Sequence, residues 1–487
     1  MRIRKMFLLI AVLFFMAVSI PVYHLSKTKF LEKEPVTAIV DGYTDDASQL
    51  NRTLVDTIIP AASDKPALQI QLGNLLKYAK EKGLKISIAG ARHSMGGHTI
   101  SPNGIVVNML PYNEMALDTN TNILTIGSGA LWEDALHYLD RYQRSVFIMQ
   151  AFSSFSVGGS LSVNGHGWQK ELPPIAASVI SFTMMLENGR ILTCSRTENA
   201  ELFKVALGGY GLFGIILDVQ LKVVANTALQ FHSVRINPAN YVEKFKDSIS
   251  ANPRVELVYG RLRISKKHFL EDATLNWFEK VDKEIPSLSE GKNTEAQRLV
   301  FRGTVNSEYG KRLRWDLESG MNNLAKHLVL SRNEVLNTSV SIVDNKDSTS
   351  TDLLQEYFIP ERNFSEFING IKPVLLATKL DLLNITIRGV EKDADSFMNY
   401  AREPVFGFVF LFNQKKNRQQ EEEMKALTSQ LVEVALNCEG TFYLPYRLHL
   451  SKEQMRRSYP QADAFFRLKL KYDSTALFSN KFYEYYK

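Results

Sequence analysis

The sequence is poor in cysteine. Cys194 and Cys438 are the two thiols in 487 residues, and neither stands in a CxxC pair or at metal-ligand spacing. A disulfide framework and a structural zinc site are therefore not what organises this chain, and both thiols read as buried and inert. No G-x-x-x-x-G-K-[ST] run occurs, which excludes a P-loop. No strand–GxGxxG–helix unit is followed by an acidic residue at the right distance, which argues against a Rossmann site. The chain has no low-complexity tract and no solenoid period. Its 58 Lys and Arg against 52 Asp and Glu leave a dispersed net charge of +6. Without a basic block interleaved with aromatics, nucleic acid is not indicated as a partner. His93 and His98 have no carboxylate or cysteine near in sequence, so no metal site is assigned.

What is present is a globular composition, 45% hydrophobic and 23% charged, over a length that exceeds one ordinary core. The N-terminus departs from it. Arg2, Arg4 and Lys5 precede an uncharged apolar run of 17 residues from Met6 to Val22. That length is the lower limit of a bilayer span and also suits a signal-peptide core. Ala17-Val18-Ser19 offers a small-x-small cleavage site. We read residues 1–34 as an uncleaved anchor in preference to a cleaved signal. The basic flank then stays in the cytoplasm and the rest lies outside, although Lys27, Lys29 and Lys33 oppose that orientation.

Glycine is concentrated in three loops. Ser63 reads as a helix cap, Pro66 falls in the first turn, and Leu68, Leu72, Leu75, Leu76 and Ala79 follow at helical spacing up to Gly83. Ile86 and Ile88 mark a short strand that breaks at Gly90 into Gly90-Ala-Arg-His-Ser-Met-Gly-Gly-His98. With no Cβ in the way, backbone N–H groups of such a loop can close on an anion. Short strands follow at 104–108, 115–118 and 123–127, then an amphipathic helix carrying Leu131, Leu136 and Leu139. The second loop is Ser156-Val-Gly-Gly-Ser-Leu-Ser-Val-Asn-Gly-His-Gly-Trp168. Beyond it, strands at 179–186 and 190–195 flank an Asn188-Gly189 hairpin turn. The third loop, Gly208-Gly-Tyr-Gly-Leu-Phe-Gly-Ile-Ile216, leads into a strand ending near Val224. One such loop is an ordinary turn; three, two of them carrying histidine, fit a long cofactor lying across several loops.

In their order and spacing these loops resemble the FAD-binding module of the vanillyl-alcohol-oxidase (PCMH-type) superfamily, closest to its sugar-alcohol, aldonolactone and cytokinin oxidase branch. Gly90-Ala-Arg-His-Ser94 looks like the family's G-x-x-H-S loop, and Val157 to Gly167 like its second flavin loop. Leu207 to Ile216 is similar to its G-x-G-x-F-G-I-[IV] segment. The resemblance implies an α+β fold: a two-subdomain FAD-binding module over 35–224, an α/β cap with an antiparallel sheet over 225–415, and a C-terminal segment, 416–487, returning to the flavin. It implies that FAD is held by Gly90, Ala91, Arg92, His93, Ser94, Met95, Gly96, Gly97 and His98. Further contacts would come from Gly158, Gly159, Ser162, Gly165, His166, Gly167, Gly214, Ile216 and Asn480. His93 stands where many members bond an imidazole to the flavin 8α carbon.

Within the cap, 294–330 reads as largely helical with interruptions at Gly303, Gly310 and Gly320. Gln355 to Pro360 resembles a cap strand whose side chains alternate toward the flavin, and Arg388 reads either as facing substrate or as exposed to solvent. Tyr472 to Asn480 resembles the family's C-terminal ending, with Ser474 where proline is usual. Relatives place a lysine or histidine near flavin N5 just upstream. This chain has Tyr446, Arg447 and His449 there, and we expect His449 or Tyr446 as base with Arg447 stabilising an alkoxide. The resemblance implies an FAD-dependent oxidoreductase acting on the CH–OH group of a polyol, aldonolactone or related alcohol. Its small-molecule substrate would be joined by an electron acceptor, namely oxygen, a quinone or a cytochrome. The alternatives are a flavin-dependent reductase of a lipid-like double bond and a non-catalytic membrane-tethered flavoprotein.

Overall fold

A computed structural model describes residues 19–30, 32, 42–289, 294–325 and 328–487. Most of the apolar N-terminal run, 6–18, lies outside them. No helix among the described residues is long and apolar enough to cross a membrane.

Strand β1 (Thr57–Pro60) leads into helix α1 (Lys65–Lys82), strand β2 (Ile86–Ala89) and, after the first glycine loop, strand β3 (Ile105–Asn108). The cap of α1 is Asp64 rather than Ser63, its carboxylate accepting from the Ala67 N–H at 2.9 Å. Gly83, at φ +66°, closes the other end. The α1 leucines are buried against a parallel sheet in the order β1-β3-β2. The first loop thus leaves the carboxyl end of a parallel strand, the usual ligand-facing edge of such sheets.

The second layer is antiparallel. Strands β4 (Met115–Asp118), β5 (Ile123–Gly127), β6 (Arg144–Val146), β7 (Val179–Met185), β8 (Ile191–Ser195) and β9 (Ile215–Ala225) run in the order β8-β7-β9-β5-β4, with β6 on β9. Gly189, at φ +81°, makes the β7–β8 turn. Helix α2 (Trp132–Asp140) and the short α3 (Val157–Ser162) pack on this layer. The second loop runs through α3, and the third enters β9.

An eight-stranded antiparallel sheet forms the cap. Its strands are β10 (Ala228–Ile236), β11 (Val255–Leu262), β12 (Ala273–Lys280), β13 (Val329–Ser331), β14 (Ser350–Pro360), β15 (Asp381–Val390), β16 (Val405–Lys415) and β17 (Thr441–Phe442). They lie in the order β13-β10-β12-β11-β15-β16-β14-β17. Side chains alternate between faces. Tyr357, Ile387 and Phe408 stand in register on one face. Rings from helix α6 (Phe364–Ala377) meet them there, Phe367 lying 4.8 Å from Phe408 and 5.9 Å from Tyr357. Glu356, Val409 and Thr386 stand in register on the other, with Arg388 two residues along.

Toward the far strands that second face is covered by helix α5 (Glu308–Ala325), whose Arg314 donates to Leu383 O and Asn384 Oδ1. Only one of the three expected interruptions in this region occurs. Gly303 follows helix α4 (Glu295–Arg302), whereas Gly310 and Gly320 lie inside α5. Gly310 is there for packing: a Cβ would stand 1.8 Å from Gly303 O. Helix α7 (Arg418–Asn437) follows β16, and the chain ends in short helices after Ser451, whose capping box with Gln454 starts the first.

Candidate active site

One cavity is lined by all three glycine loops, by the cap strands and by the C-terminal segment. From the first loop come Gly90 to Ser94 and His98. From the second come Phe155, Gly158, Gly159, Ser162, Gly165 and His166, and from the third Gly209 to Gly214 and Ile216. The cap adds Leu354, Glu356, Arg388 and Val409, and the C-terminal segment adds Tyr443 and Tyr446.

The loops are packed too closely for side chains. A Cβ on Gly90 would stand 1.9 Å from Ser156 Oγ, and one on Gly167 the same distance from Met149 O. Arg92 occupies a left-handed conformation, φ +56°, that costs about 1 kcal/mol for a residue with a Cβ. Its guanidinium has no carboxylate partner among the described residues, and burial lowers its pKa. The N–H groups of Arg92, His93 and Ser94 find no acceptor among the described residues. The buried hydroxyls of Ser94, Thr99 and Ser128 and the Gln150 carbonyl are likewise unpartnered and line the same cavity. Free N–H donors, a free cation and orphaned polar groups around a glycine-walled cavity suit an extended dinucleotide with a diphosphate.

His93 is stacked on Phe155, ring centroids 4.0 Å apart and 16° from parallel. Its Nε2 lies 3.2 Å from Ser154 O. A carbonyl only accepts, so Nε2 carries the proton and Nδ1 keeps its lone pair. Burial pushes the ring's pKa down and keeps it neutral near pH 7. His98 is fully buried between Tyr210 and Phe482, and burial takes its pKa down to about 3.

The cap wall carries a buried polar cluster. His166 Nε2 lies 2.6 Å from Glu356 Oε1, and Tyr446 Oη donates to Glu356 Oε2 at 3.1 Å. Burial alone would raise the Glu356 pKa. The His166 imidazole, the Arg388 guanidinium and the Tyr446 hydroxyl outweigh it and hold the carboxyl below its ordinary range. Burial beside that carboxylate keeps the Tyr446 phenol protonated. Arg388 Nη1 reaches His166 O at 3.5 Å, while its buried Nε has no acceptor among the described residues.

Several expected site residues lie just behind the cavity wall. Met95 N donates to Pro445 O and Gly97 N to Asp46 Oδ2, while Gly96 leaves no room for a Cβ beside Tyr446 O. Asn480 caps the last helix and donates from Nδ2 to His98 O and Tyr210 O, both at 2.9 Å, tying the first loop to the third. Of the three residues expected to be catalytic, the structure brings Tyr446 alone to the cavity. Arg447 and His449 turn instead to Glu421 on α7, at 2.5 and 3.0 Å. His449 Nδ1 meets Thr428 Oγ1, and Arg447 Nη1 donates to Met95 O. Sequence reasoning did not single out Glu356, Tyr443 or Phe155. The alternation of β14, which places 354 and 356 on one face, was the available signal for Glu356.

Comparison with known proteins agrees with this geometry. Residues 60–195 match the family model of an FAD binding domain. The chain is 29% identical over 170 residues to cytokinin dehydrogenase 2 of Arabidopsis thaliana, covering 34% of each protein. It is 27% identical over 196 residues to the mitochondrial L-galactono-1,4-lactone dehydrogenase of the same plant, covering 40% of this chain and 32% of the relative. The match thus spans about a third of the length of these two relatives. A longer match, 23% identical over 458 residues, joins 87% of this chain to 86% of Arabidopsis thaliana cytokinin dehydrogenase 3. The class defined by fold and site is that of an FAD-binding domain joined to an α/β domain with an antiparallel sheet. Residues 60–195 form an FAD binding domain of the PCMH type, among relatives named as cytokinin dehydrogenases and aldonolactone oxidases and dehydrogenases.

Proposed function

We propose that the protein is an FAD-dependent oxidoreductase that oxidises the CH–OH group of a polyol, aldonolactone or related alcohol. The observation that carries this reading is the Glu356–Tyr446–His166–Arg388 cluster in the wall of a cavity otherwise made of flavin loops. When bound, FAD supplies the acceptor for a hydride from the alcohol carbon. Tyr446 Oη hydrogen-bonds the substrate hydroxyl and relays its proton to Glu356 Oε2. His166 occupies the other carboxylate oxygen and fixes the side chain. Arg388, with its free Nε–H, faces the oxygen on which negative charge develops. Phe152, Phe155, Leu354 and Val409 line the same space and exclude water. The aldonolactone oxidases and dehydrogenases among the relatives support a lactone or polyol substrate. The electron acceptor is oxygen, a quinone or a cytochrome.

The free Nδ1 of His93 is the atom we assign to covalent attachment at the flavin 8α carbon. Acid denaturation tests it: yellow colour stays with the wild-type polypeptide and leaves the His93→Ala chain. Flavin retained by His93→Ala overturns the assignment. In this reading the N-terminal run anchors the protein to a membrane with the catalytic domain outside the cytoplasm.

Anaerobic titration tests the activity. Bleaching of the flavin band by polyols or aldonolactones supports it, and bleaching by a reduced nicotinamide alone supports a reductase instead. Glu356→Gln lowers kcat by roughly two to four orders of magnitude, the ordinary contribution of a positioned base, while the flavin spectrum is retained.

A further inference from the structure

The described part of the N-terminal segment is not a loose tether. Residues 19–30 form a helix that lies against the helices of the cap. His24 Nε2 donates to Gly303 O at 2.8 Å, at the end of α4, and its ring meets Tyr309 of α5 edge-on at 5.1 Å. Glu32 takes both arms of the buried Arg298 guanidinium at 2.5 and 2.6 Å. Beyond Ser19 at its start, the half-buried positions are Pro21, His24, Leu25, Thr28 and Glu32, and their three- and four-residue spacing makes one inward face.

The outward face is apolar where water should be. Ile20, Tyr23, Lys27 and Phe30 recur at the same spacing on the other side, and Ile20, Tyr23 and Phe30 are 52%, 70% and 89% exposed. Aromatic and aliphatic side chains beside lysines that can extend past them make up a helix that lies in the headgroup region of a bilayer. Continuity points the same way, because the uncharged run from Met6 to Val22 passes directly into this helix. On α5, Leu317 falls seven residues beyond Gly310, the position that closes on His24, and is also exposed. The exposed Lys27 and Lys29 match an anionic lipid surface.

From these contacts we infer that the face formed by helix 19–30 and the outer side of α5 is a lipid-docking surface that holds the cap against the membrane. The inference rests on the membrane attachment proposed above and adds its geometry. Because α5 covers the same sheet face that carries Glu356 and Arg388, docking sets the substrate half of the molecule, not the flavin half, at the lipid surface.

The test uses the full chain with single cysteines at Phe30 and Leu317, and at Tyr142 and Leu470 as controls, each labelled with an environment-sensitive fluorophore. Both native thiols are buried. On mixed phosphatidylcholine and phosphatidylglycerol vesicles, the labels at 30 and 317 brighten several-fold and shift to the blue, and those at 142 and 470 do not. Glu32→Gln weakens the clamp, so the signal at 317 falls while vesicle binding persists. Vesicle-bound protein whose label at 317 stays as dim as that at 470 overturns the docked geometry alone. Protein that does not bind vesicles overturns the anchoring as well. Brightening that tracks protein concentration without lipid assigns the face to a second copy and overturns the inference.

Discussion

Glu421→Gln is the most informative single change, because it separates a structural clamp from the chemistry expected of its neighbours. Burial on α7 would raise this carboxyl, yet hydrogen bonds from His449 and Arg447 and the Arg447 charge bring its pKa from 4.5 to about 2. At about 1.4 kcal/mol per pKa unit that corresponds to roughly 3 kcal/mol. The side chain is 23% exposed, and solvent screening reduces the contribution to about 2 kcal/mol. A carboxyl whose folded pKa is depressed stabilises fully above its unfolded pKa. It loses that contribution as pH falls through 4.5 toward about 2. Urea unfolding followed by intrinsic fluorescence reads both parts. At pH 7 the variant loses about 2 kcal/mol, and near pH 3 the difference from wild type falls to less than half of that. Equal midpoints at pH 7, or a difference that does not shrink in acid, refute the reasoning. The clamp also holds Arg447 on Met95 O, so the variant retains FAD less tightly without losing Tyr446.

Asn480→Ala removes two hydrogen bonds to loop carbonyls and a helix cap, and about 2 kcal/mol of stability goes with them, measured by thermal unfolding. The same variant binds FAD more weakly by flavin fluorescence titration, since the first and third loops are no longer tied. Gly90→Ala puts a Cβ 1.9 Å from Ser156 Oγ and lowers the flavin-to-protein absorbance ratio; pairing it with Ser156→Ala restores part of the loading. Unchanged loading in Gly90→Ala would mean that the two loops are free to part.

The flavin module was legible because its chemistry is local. The three glycine clusters around Gly90, Gly158 and Gly214 point to one site by their order, and Leu68 to Ala79 or the Asn188-Gly189 turn announce their elements within a few residues. Gly310 misled for the same local reason, and Gly320, with open space around it, is simply tolerated inside α5. A glycine that relieves a helix-helix contact looks in sequence like one that breaks a helix, and only the position of Gly303 tells them apart. The cap wall was less legible. Glu356 and His166 are 190 positions apart and become partners where the second glycine loop meets β14, which single-sequence periodicity does not encode. Arg447 and His449 carried the right chemistry for a base and its helper. What decided their direction was Glu421, on a helix whose docking angle no local pattern specifies.

Asn480 joins two loops that lie hundreds of residues earlier in sequence, and Leu477 and Ser479 lengthen the first parallel sheet along Ile86. The two loops are thus held together by residues far downstream in sequence, so the closed form of the cofactor site is a long-range product of folding. A variant in which residues 477–480 cannot dock would keep every glycine loop and lose these ties, and it is expected to hold FAD more weakly.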